Sequence, residues 1–496
     1  MPLRLRILFI ASEVDPFAKT GGLADVAAAL PRALHSLGHD VRVLLPKYRG
    51  AAAHADGLRV AVPEIRIPLG DRAAVGALLE GRGASGVPVY LLEQDHYYDR
   101  EGIYGTGDSD YWDNSERFVF FCRAGLEGVA RIGATGGGRW RPQIIHVNDW
   151  ETALVPVYLR TLYRDEPALK QAVTLFTIHN LAYQGVFWHY DMPMTGLGWD
   201  LFTPAGLEFY GKINFLKGGL IFSDLLTTVS RTYAREIRTA AFGAGLEGVL
   251  EERSQDLHGV VNGIDYDLWN PAKDPAIAEA YSADEPEGKA ACRAALRSQF
   301  GLEAGPGPVI GLVTRLVEQK GLDLLLDAIP GVLAEGCQLV LVGSGDPLLE
   351  AAFSAAALRH PDQVAVHIGY DADLARRVYA GSDCFLMPSR YEPCGLGQLI
   401  ALRYGTIPVV RRTGGLADTV TEFDPARRAG TGFLFDALSA EGLVEAVHRA
   451  AITYRQPALW KALVRNAMTQ DFSWDASARE YVTLYRKALK AAAGAR

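Results

Sequence analysis

The run spanning residues 5–11, with its unbroken apolar centre Ile7-Leu8-Phe9-Ile10-Ala11, leads into Lys19-Thr20-Gly21-Gly22 and then into Leu23, Val26, Ala27, Leu30 and Leu34. The first run reads as a buried strand, because a short apolar stretch suits the inside of a sheet. The Gly-Gly pair is a loop. The apolar residues after it recur at helical spacing, and Gly38 stops that helix. Residues 40–45 form a second buried strand. Strand, helix and strand make a βαβ unit, the building block of a parallel sheet.

The same rhythm runs outward. Residues 87–92, 143–147, 173–178 and 225–229 read as further strands, mostly separated by helical patterns. Residues 265–307 are rich in Ala, Asp, Glu and Pro with no long apolar run, so a domain junction is placed there or just before. The alternation then restarts. Strands are expected at 309–314, 338–342, 364–368, 384–387 and 408–410, with helices at 323–333 and 348–358. The chain ends in a helical pattern over 475–490. The expected fold class is α/β, two parallel-sheet domains with a cleft between them.

Composition bounds the function. At 496 residues the chain holds roughly three units of about 150 residues, or two large ones. Apolar residues are 49% and charged residues 22%, which excludes a disordered or fibrous chain. The net charge of −8 argues against a dedicated nucleic-acid binder, though not against a local basic pocket. No apolar run approaches the roughly 20 residues that span a bilayer. The N-terminal run is too short for a signal-peptide core and has no small-residue cleavage site after it. Five cysteines without a C-x-x-C pair do not suggest a disulfide framework or a structural zinc site, and a reduced cytoplasm fits.

Four clusters carry possible chemistry. Lys19-Thr20-Gly21-Gly22 lets a ligand approach the backbone, and the helix after it offers unpaired N–H groups to an anion. It is neither a P-loop nor a dinucleotide fingerprint. A solvated lysine beside a tight turn is the plain alternative. Arg315 and Lys320 follow a strand, where α/β sheets gather ligands, and two cations there suit a diphosphate. A surface ion pair with Glu318 is equally compatible with the spacing. Ser389-Arg390-Tyr391-Glu392-Pro393-Cys394-Gly395-Leu396-Gly397 also follows a strand. Glu392 can grip sugar hydroxyls or stabilise an oxocarbenium ion, or it can simply cap a helix above a buried structural Cys394. His179, in Thr177-Ile178-His179-Asn180, ends another strand and is as compatible with a structural role. Asn148-Asp149-Trp150 and Asn262-Gly263-Ile264-Asp265 are similar clusters.

D-x-D triplets begin at Asp108, Asp265 and Asp371, but none sits in a convincing metal site, and no metal is expected. Thr20-Gly21-Gly22-Leu23-Ala24-Asp25 recurs as Thr413-Gly414-Gly415-Leu416-Ala417-Asp418, each after a basic residue. Duplication or parallel function weighs evenly against a common way to enter a helix.

These blocks, in this order and spacing, resemble the bacterial glycogen synthases and plant starch synthases over nearly the whole chain. The resemblance is carried by Ser12-Glu13-Val14 with Lys19 to Val26, by the Thr177-Ile178-His179-Asn180-Leu181-Ala182-Tyr183-Gln184-Gly185 block, and by Gly211-Lys212-Ile213-Asn214 with Thr228-Val229-Ser230. Val261-Asn262-Gly263-Ile264-Asp265, Thr314-Arg315-Leu316 with Gln319-Lys320-Gly321, Glu392-Pro393-Cys394-Gly395-Leu396 and the second Thr-Gly-Gly block complete it. The resemblance implies the GT-B fold of two Rossmann-like domains facing a cleft, with boundaries at 1–262 and 263–474 and a helix at 475–496 crossing back. It implies retaining transfer of glucose from ADP-glucose to the non-reducing end of an α-1,4-glucan, as in glycogen synthesis.

Residue by residue, the resemblance implies that Lys19, Gly21, Gly22 and Asp25 lie at the donor. Arg315 and Lys320 bind the diphosphate, and His179 contacts the glucose near its 6-hydroxyl. Glu392 binds glucose hydroxyls in a pocket lined by Cys394, Gly395 and Leu396. Tyr370 lies against the adenine, and Asp149 and Asn262 line the cleft. ADP-glucose and a glucan such as glycogen are the implied partners, with no cofactor, nucleic acid or membrane; the oligomeric state is left open.

The E-x₇-E pattern of related enzymes puts a second acid at position 400, which here is Ile400, so a carboxylate pair is not supported. Gly397 and Glu151 depart from the family, where a larger residue and a histidine are common. Two other classes compete. A NAD-dependent oxidoreductase lacks its G-x-G-x-x-G. A non-catalytic sugar-binding protein needs no cations for a leaving group. UDP-glucose is the rival donor.

Overall fold

A computed structural model describes residues 4–107, 109–135 and 140–494. The chain forms two compact units. The first holds the residues up to Val229, Ala234–Val260 and the residues from Trp474 onward; the second holds Ser230–Tyr233 and Val261–Ser473.

The first unit is built on a nine-stranded sheet. Its order is Leu257–Gly259, Leu225–Thr228, Val173–Ile178, Ile144–Asn148, Arg6–Ile10, Asp40–Pro46, Pro88–Glu93, Arg72–Arg82 and Asp56–Leu69. The first seven run parallel and the last two antiparallel. That antiparallel hairpin is absent from the sequence reading. Its first strand buries Ile65, Ile67 and Leu69 between exposed neighbours, an alternation that a search for unbroken apolar runs passes over. The helix Gly22–Ser36 covers one face, and the helix Trp474–Gly494 packs Trp474, Ala478, Tyr481, Tyr485 and Ala488 into the same core. A small antiparallel sheet, Val186–Trp188, Lys212–Asn214 and Glu208–Phe209, adds to the unit.

The second unit is a six-stranded parallel sheet in the order Val364–Ile368, Gln338–Gly343, Val309–Val313, Cys384–Met387, Ile407–Arg411 and Phe433–Phe435. Its strands are almost wholly buried, as expected where helices cover both faces.

Both sheets are doubly wound, so each has a point where the strand order reverses. In the second unit it lies between Val309–Val313 and Cys384–Met387; in the first it lies between Arg6–Ile10 and Ile144–Asn148. Loops leaving the carboxyl ends of such a pair diverge and open a crevice, the usual ligand position in this architecture. Among the described residues no helix is long and apolar enough to cross a membrane.

Candidate active site

The crevice of the second unit is a cavity of about 230 Å³ at its switch point. Arg315 and Lys320 reach it from the loop after Val309–Val313; Glu392, Gly395, Leu396 and Gly397 reach it from the loop after Cys384–Met387. Lys320 Nζ donates to Glu392 Oε2 at 2.7 Å, and Ser389 Oγ donates to the same oxygen at 2.9 Å. Glu392 is only 5% exposed. The ion pair with Glu318 therefore does not form; Lys320 turns inward to the acid 72 residues away. Glu392 caps no helix. Arg315 remains exposed, and among the described residues its guanidinium has no ion-pair partner.

Tight loop packing makes this pairing possible. Gly321 has φ +64°, and a Cβ there would stand 2.1 Å from the Pro388 carbonyl oxygen. Only glycine lets the turn carrying Lys320 lie so close to the Glu392 loop. Arg390 N donates to Gln319 O at 2.9 Å, and Gln319 Nε2 donates to Tyr391 O at 3.2 Å. Arg411 Nη1 donates to Arg390 O at 2.6 Å, and Ser230 Oγ donates to Pro393 O at 2.6 Å. Ser230 stood in a quoted motif, but its role was not legible because its partner lies 163 residues away.

The repeated Thr-Gly-Gly-Leu-Ala-Asp blocks serve different ends. In the second copy, a Cβ on Gly414 would lie 1.9 Å from Glu392 O, and one on Gly415 would lie 2.0 Å from Cys394 O. Gly415 N donates to Glu392 O at 3.0 Å. This copy is a packing surface for the Glu392 loop. In the first copy a Cβ on Gly21 or Gly22 would meet nothing within 4 Å. That backbone is open to a ligand.

The first copy lies at the switch point of the first unit. Lys19 Nζ pairs with Asp25 at 2.6 Å and with Asp15 at 3.8 Å. Asp25 thus orients Lys19, and burial raises its carboxyl above the usual range despite that pairing. The buried Glu13 takes Thr20 N at 2.5 Å, Gly21 N at 3.1 Å, Thr20 Oγ1 at 2.7 Å and Tyr104 Oη at 2.7 Å. The Gly21 N–H, expected to face an anion, is therefore already bound by a carboxylate. The Glu13 clamp escaped the sequence reading because one partner, Tyr104, is 91 residues distant.

Beside it, Asp149 Oδ1 accepts His179 N at 2.7 Å, and Asn148 Oδ1 lies 2.9 Å from His179 Nε2. Asp149 has φ +55° and ψ −177°, a backbone conformation that residues other than glycine rarely adopt. Burial pushes its carboxyl up to about 7, and it raises the buried Glu151 further still. Burial pulls His179 down to about 3, so its imidazole is neutral at pH 7.

Other expected residues sit apart from the cavity. Tyr370 follows the strand Val364–Ile368, is 84% exposed and does not line it. Cys394 is buried behind the Glu392 loop, with its thiol pushed up to about 12 by burial and the Asn262 backbone N–H directed at its sulfur. Asn262 Oδ1 is buried without a hydrogen-bond partner among the described residues. Asp265 Oδ1 accepts Asp267 N, and Asp371 Oδ1 accepts Leu374 N, so both triplets begin with a turn or helix cap. Asp108 lies outside the described residues.

Residues 6–252 match the family model of the starch synthase catalytic domain, and residues 297–462 match that of group 1 glycosyl transferases. A glycogen synthase of Syntrophotalea carbinolica is 50% identical, with 98% of this chain and 99% of the relative covered. Glycogen synthase 2 of Geobacter sulfurreducens is 47% identical, with 98% and 99% covered. The catalytic domain of starch synthase IV from Arabidopsis thaliana, bound to ADP and acarbose, superposes with a TM-score of 0.88 at 36% identity, covering 98% of this chain and 100% of that one. A sucrose-phosphate synthase of Thermosynechococcus elongatus, at 20% identity and a TM-score of 0.58, shares the fold alone. With half of its residues identical to a relative along nearly its whole length, the chain belongs to the glycogen and starch synthase family of glycosyltransferases.

Proposed function

We propose that this protein transfers glucose from ADP-glucose to the non-reducing end of an α-1,4-glucan such as glycogen, with retention at the anomeric carbon and release of ADP. The observation that carries this reading is the Lys320–Glu392 pair, with Arg315, at the switch-point cavity of a chain in this family. The ADP and acarbose bound to the Arabidopsis relative support the nucleotide and the glucan-like acceptor.

Departure of the diphosphate builds negative charge, and Arg315 and Lys320 are placed to receive it. Preorganised donors at such a site contribute about 10²–10³ in rate each. Glu392 holds glucose hydroxyls, its Oε2 occupied by Lys320 and Ser389 and its Oε1 left for the sugar. Gly395 and Leu396 line the sugar pocket. Asn262 and Cys394 set the loop behind it, and Tyr370 takes the adenine. In the first unit, Lys19, held by Asp25, binds donor phosphate or sugar, and the open Gly21-Gly22 backbone lies against the donor with the Gly21 N–H kept by Glu13. His179 binds a glucose hydroxyl, and Asp149 fixes the His179 backbone.

Ile400 lines the cavity and stands where the E-x₇-E spacing of related enzymes has its second acid, so the sequence offers no carboxylate pair for double displacement. The acceptor hydroxyl therefore attacks from the side of the leaving phosphate, which takes its proton. An isolable glucosyl adduct on Glu392 would overturn this mechanism. Charge neutralisation by Arg315 and Lys320 calls for no cofactor, and a cytoplasmic setting fits five buried, unpaired cysteines.

The test is transfer of labelled glucose onto glycogen from ADP-glucose and, separately, from UDP-glucose, with Lys19→Ala and Glu392→Ala beside the wild type. Transfer from ADP-glucose that collapses in both variants supports the reading. Transfer only from UDP-glucose changes the donor. No transfer from either by folded protein points to a sugar-binding protein.

A further inference from the structure

Asn148 lies fully buried at the end of its strand, with its side chain between two partners. Its Nδ2 donates to the Ile10 carbonyl at 3.0 Å, across the switch point of the first unit. Its Oδ1 faces His179 Nε2 at 2.9 Å. A carbonyl oxygen can only accept, so the amide's NH₂ end must face Ile10 and its oxygen must face the histidine. An oxygen there requires a proton on Nε2. A neutral imidazole carries one proton, so Nδ1 keeps its lone pair. Among the described residues nothing hydrogen-bonds to His179 Nδ1.

We infer that Asn148 is a positioning residue that fixes His179 as the Nε2–H tautomer, so that His179 offers Nδ1 as an acceptor and takes a hydroxyl of the ligand rather than a phosphate oxygen. A phosphate oxygen brings lone pairs and no proton, and a bare Nδ1 repels it. A sugar hydroxyl brings the proton. That the hydroxyl belongs to the donor glucose rests on the function proposed above; the tautomer does not.

The surroundings keep the ring neutral. His146, two residues before Asn148, is buried between Tyr485 Oη at 2.8 Å and Thr177 Oγ1 at 2.7 Å, and burial holds it uncharged. Asp149 spends Oδ1 on the His179 backbone, and its carboxyl and that of Glu151 are both raised. Glu13, beyond them, is engaged by Thr20, Gly21 and Tyr104. Among the described residues none of these groups makes an ion pair with the imidazole.

The experiment is ¹⁵N–¹H correlation of the ring nitrogens in full-length, histidine-labelled protein. The His179 set among 11 histidines is identified by its loss in His179→Gln. The expected spectrum at pH 7 has a protonated Nε2 and a lone-pair Nδ1, persisting below pH 5. In Asn148→Asp, a carboxylate beside Nε2 raises the imidazole's titration. Glucosyl transfer then gains an acid limb, and kcat falls about 10-fold or more with donor KM little changed, the scale of loss when the partner that orients a metal-bound imidazole is removed. An Nδ1–H tautomer or an imidazolium at pH 7 in the wild type overturns the inference, whether or not the variant folds. So does a wild-type-like ring titration and pH profile in folded Asn148→Asp. The stated tautomer without glucosyl transfer would defeat the proposed function and leave the role of Asn148 standing.

Discussion

Lys320 and Glu392 form a partly buried ion pair, 2.7 Å from Nζ to Oε2, with side chains 18% and 6% exposed. Each comes from a loop on one side of the strand-order reversal, so the sheet topology joins them. Removing one partner leaves the other charge uncompensated, at a cost of up to about 3–5 kcal/mol, the value for a fully buried pair. The pair thus ties the integrity of the cavity to its proposed chemistry, and stability must be separated from rate in any test of it.

The two Thr-Gly-Gly blocks should respond oppositely to the same substitution. Gly414→Ala forces a Cβ against the Glu392 carbonyl, and overpacking of this kind costs about 1–3 kcal/mol or more. The expected result is a Tm at least about 3 °C lower by calorimetry. Gly22→Ala meets open space and should keep the wild-type Tm, while its donor KM rises because a methyl group covers the exposed backbone.

Gly397 is held small by an aromatic neighbour. A Cβ there would approach the Phe385 ring at 2.9 Å and Met387 Sδ at 3.5 Å. Gly397→Thr should lower Tm, and Phe385→Leu in the same chain should restore much of it. A double variant no more stable than Gly397→Thr alone would show that the ring is not the obstacle.

The Asp149 carboxyl, raised by burial to about 7 in the folded chain from its ordinary value of 3.8, gives a signed pH effect. Between those values the native state binds more protons than the unfolded state, so this group's contribution falls as pH rises from about 4 to about 7. His179, lowered to about 3, acts in the opposite direction below its ordinary value of 6.5. Asp149→Asn also takes a charged neighbour from Glu151, so the comparison with the wild type reports the two carboxyls together. The Tm difference should move in favour of the variant as pH rises from about 4 to about 7. A difference independent of pH contradicts the burial of an ionisable carboxyl at this position.

Legibility followed the range of the interactions. Strands such as Val173–Ile178 and Val364–Ile368 match the reading residue for residue, because each is dominated by apolar and β-branched residues over a strand's length. The βα rhythm gave parallel sheets but not their strand order, and the motifs that follow strands named Arg315, Lys320, Glu392, Lys19 and His179. The partners of those residues were not legible. Lys320 chose Glu392 over nearby Glu318, Glu13 took the N–H groups of the Gly-Gly loop, and Asn148 took the His179 ring; each pairing spans a turn or crossover that sequence spacing does not encode. The hairpin Asp56–Leu69 and Arg72–Arg82 was missed for a different reason, since its half-exposed strands alternate.

The most direct test of the central claim is the Lys320→Met, Glu392→Gln double variant beside both single variants, read by Tm and by the rate of glucose transfer from ADP-glucose to glycogen. Both singles should lose stability, and the double should recover most of it because no unpaired charge remains. Its transfer rate should nevertheless stay about 10²-fold or more below the wild type, since the groups that meet the leaving diphosphate and the sugar are gone. A double variant that regains both its Tm and its transfer rate would make the pair a structural brace and contradict the account.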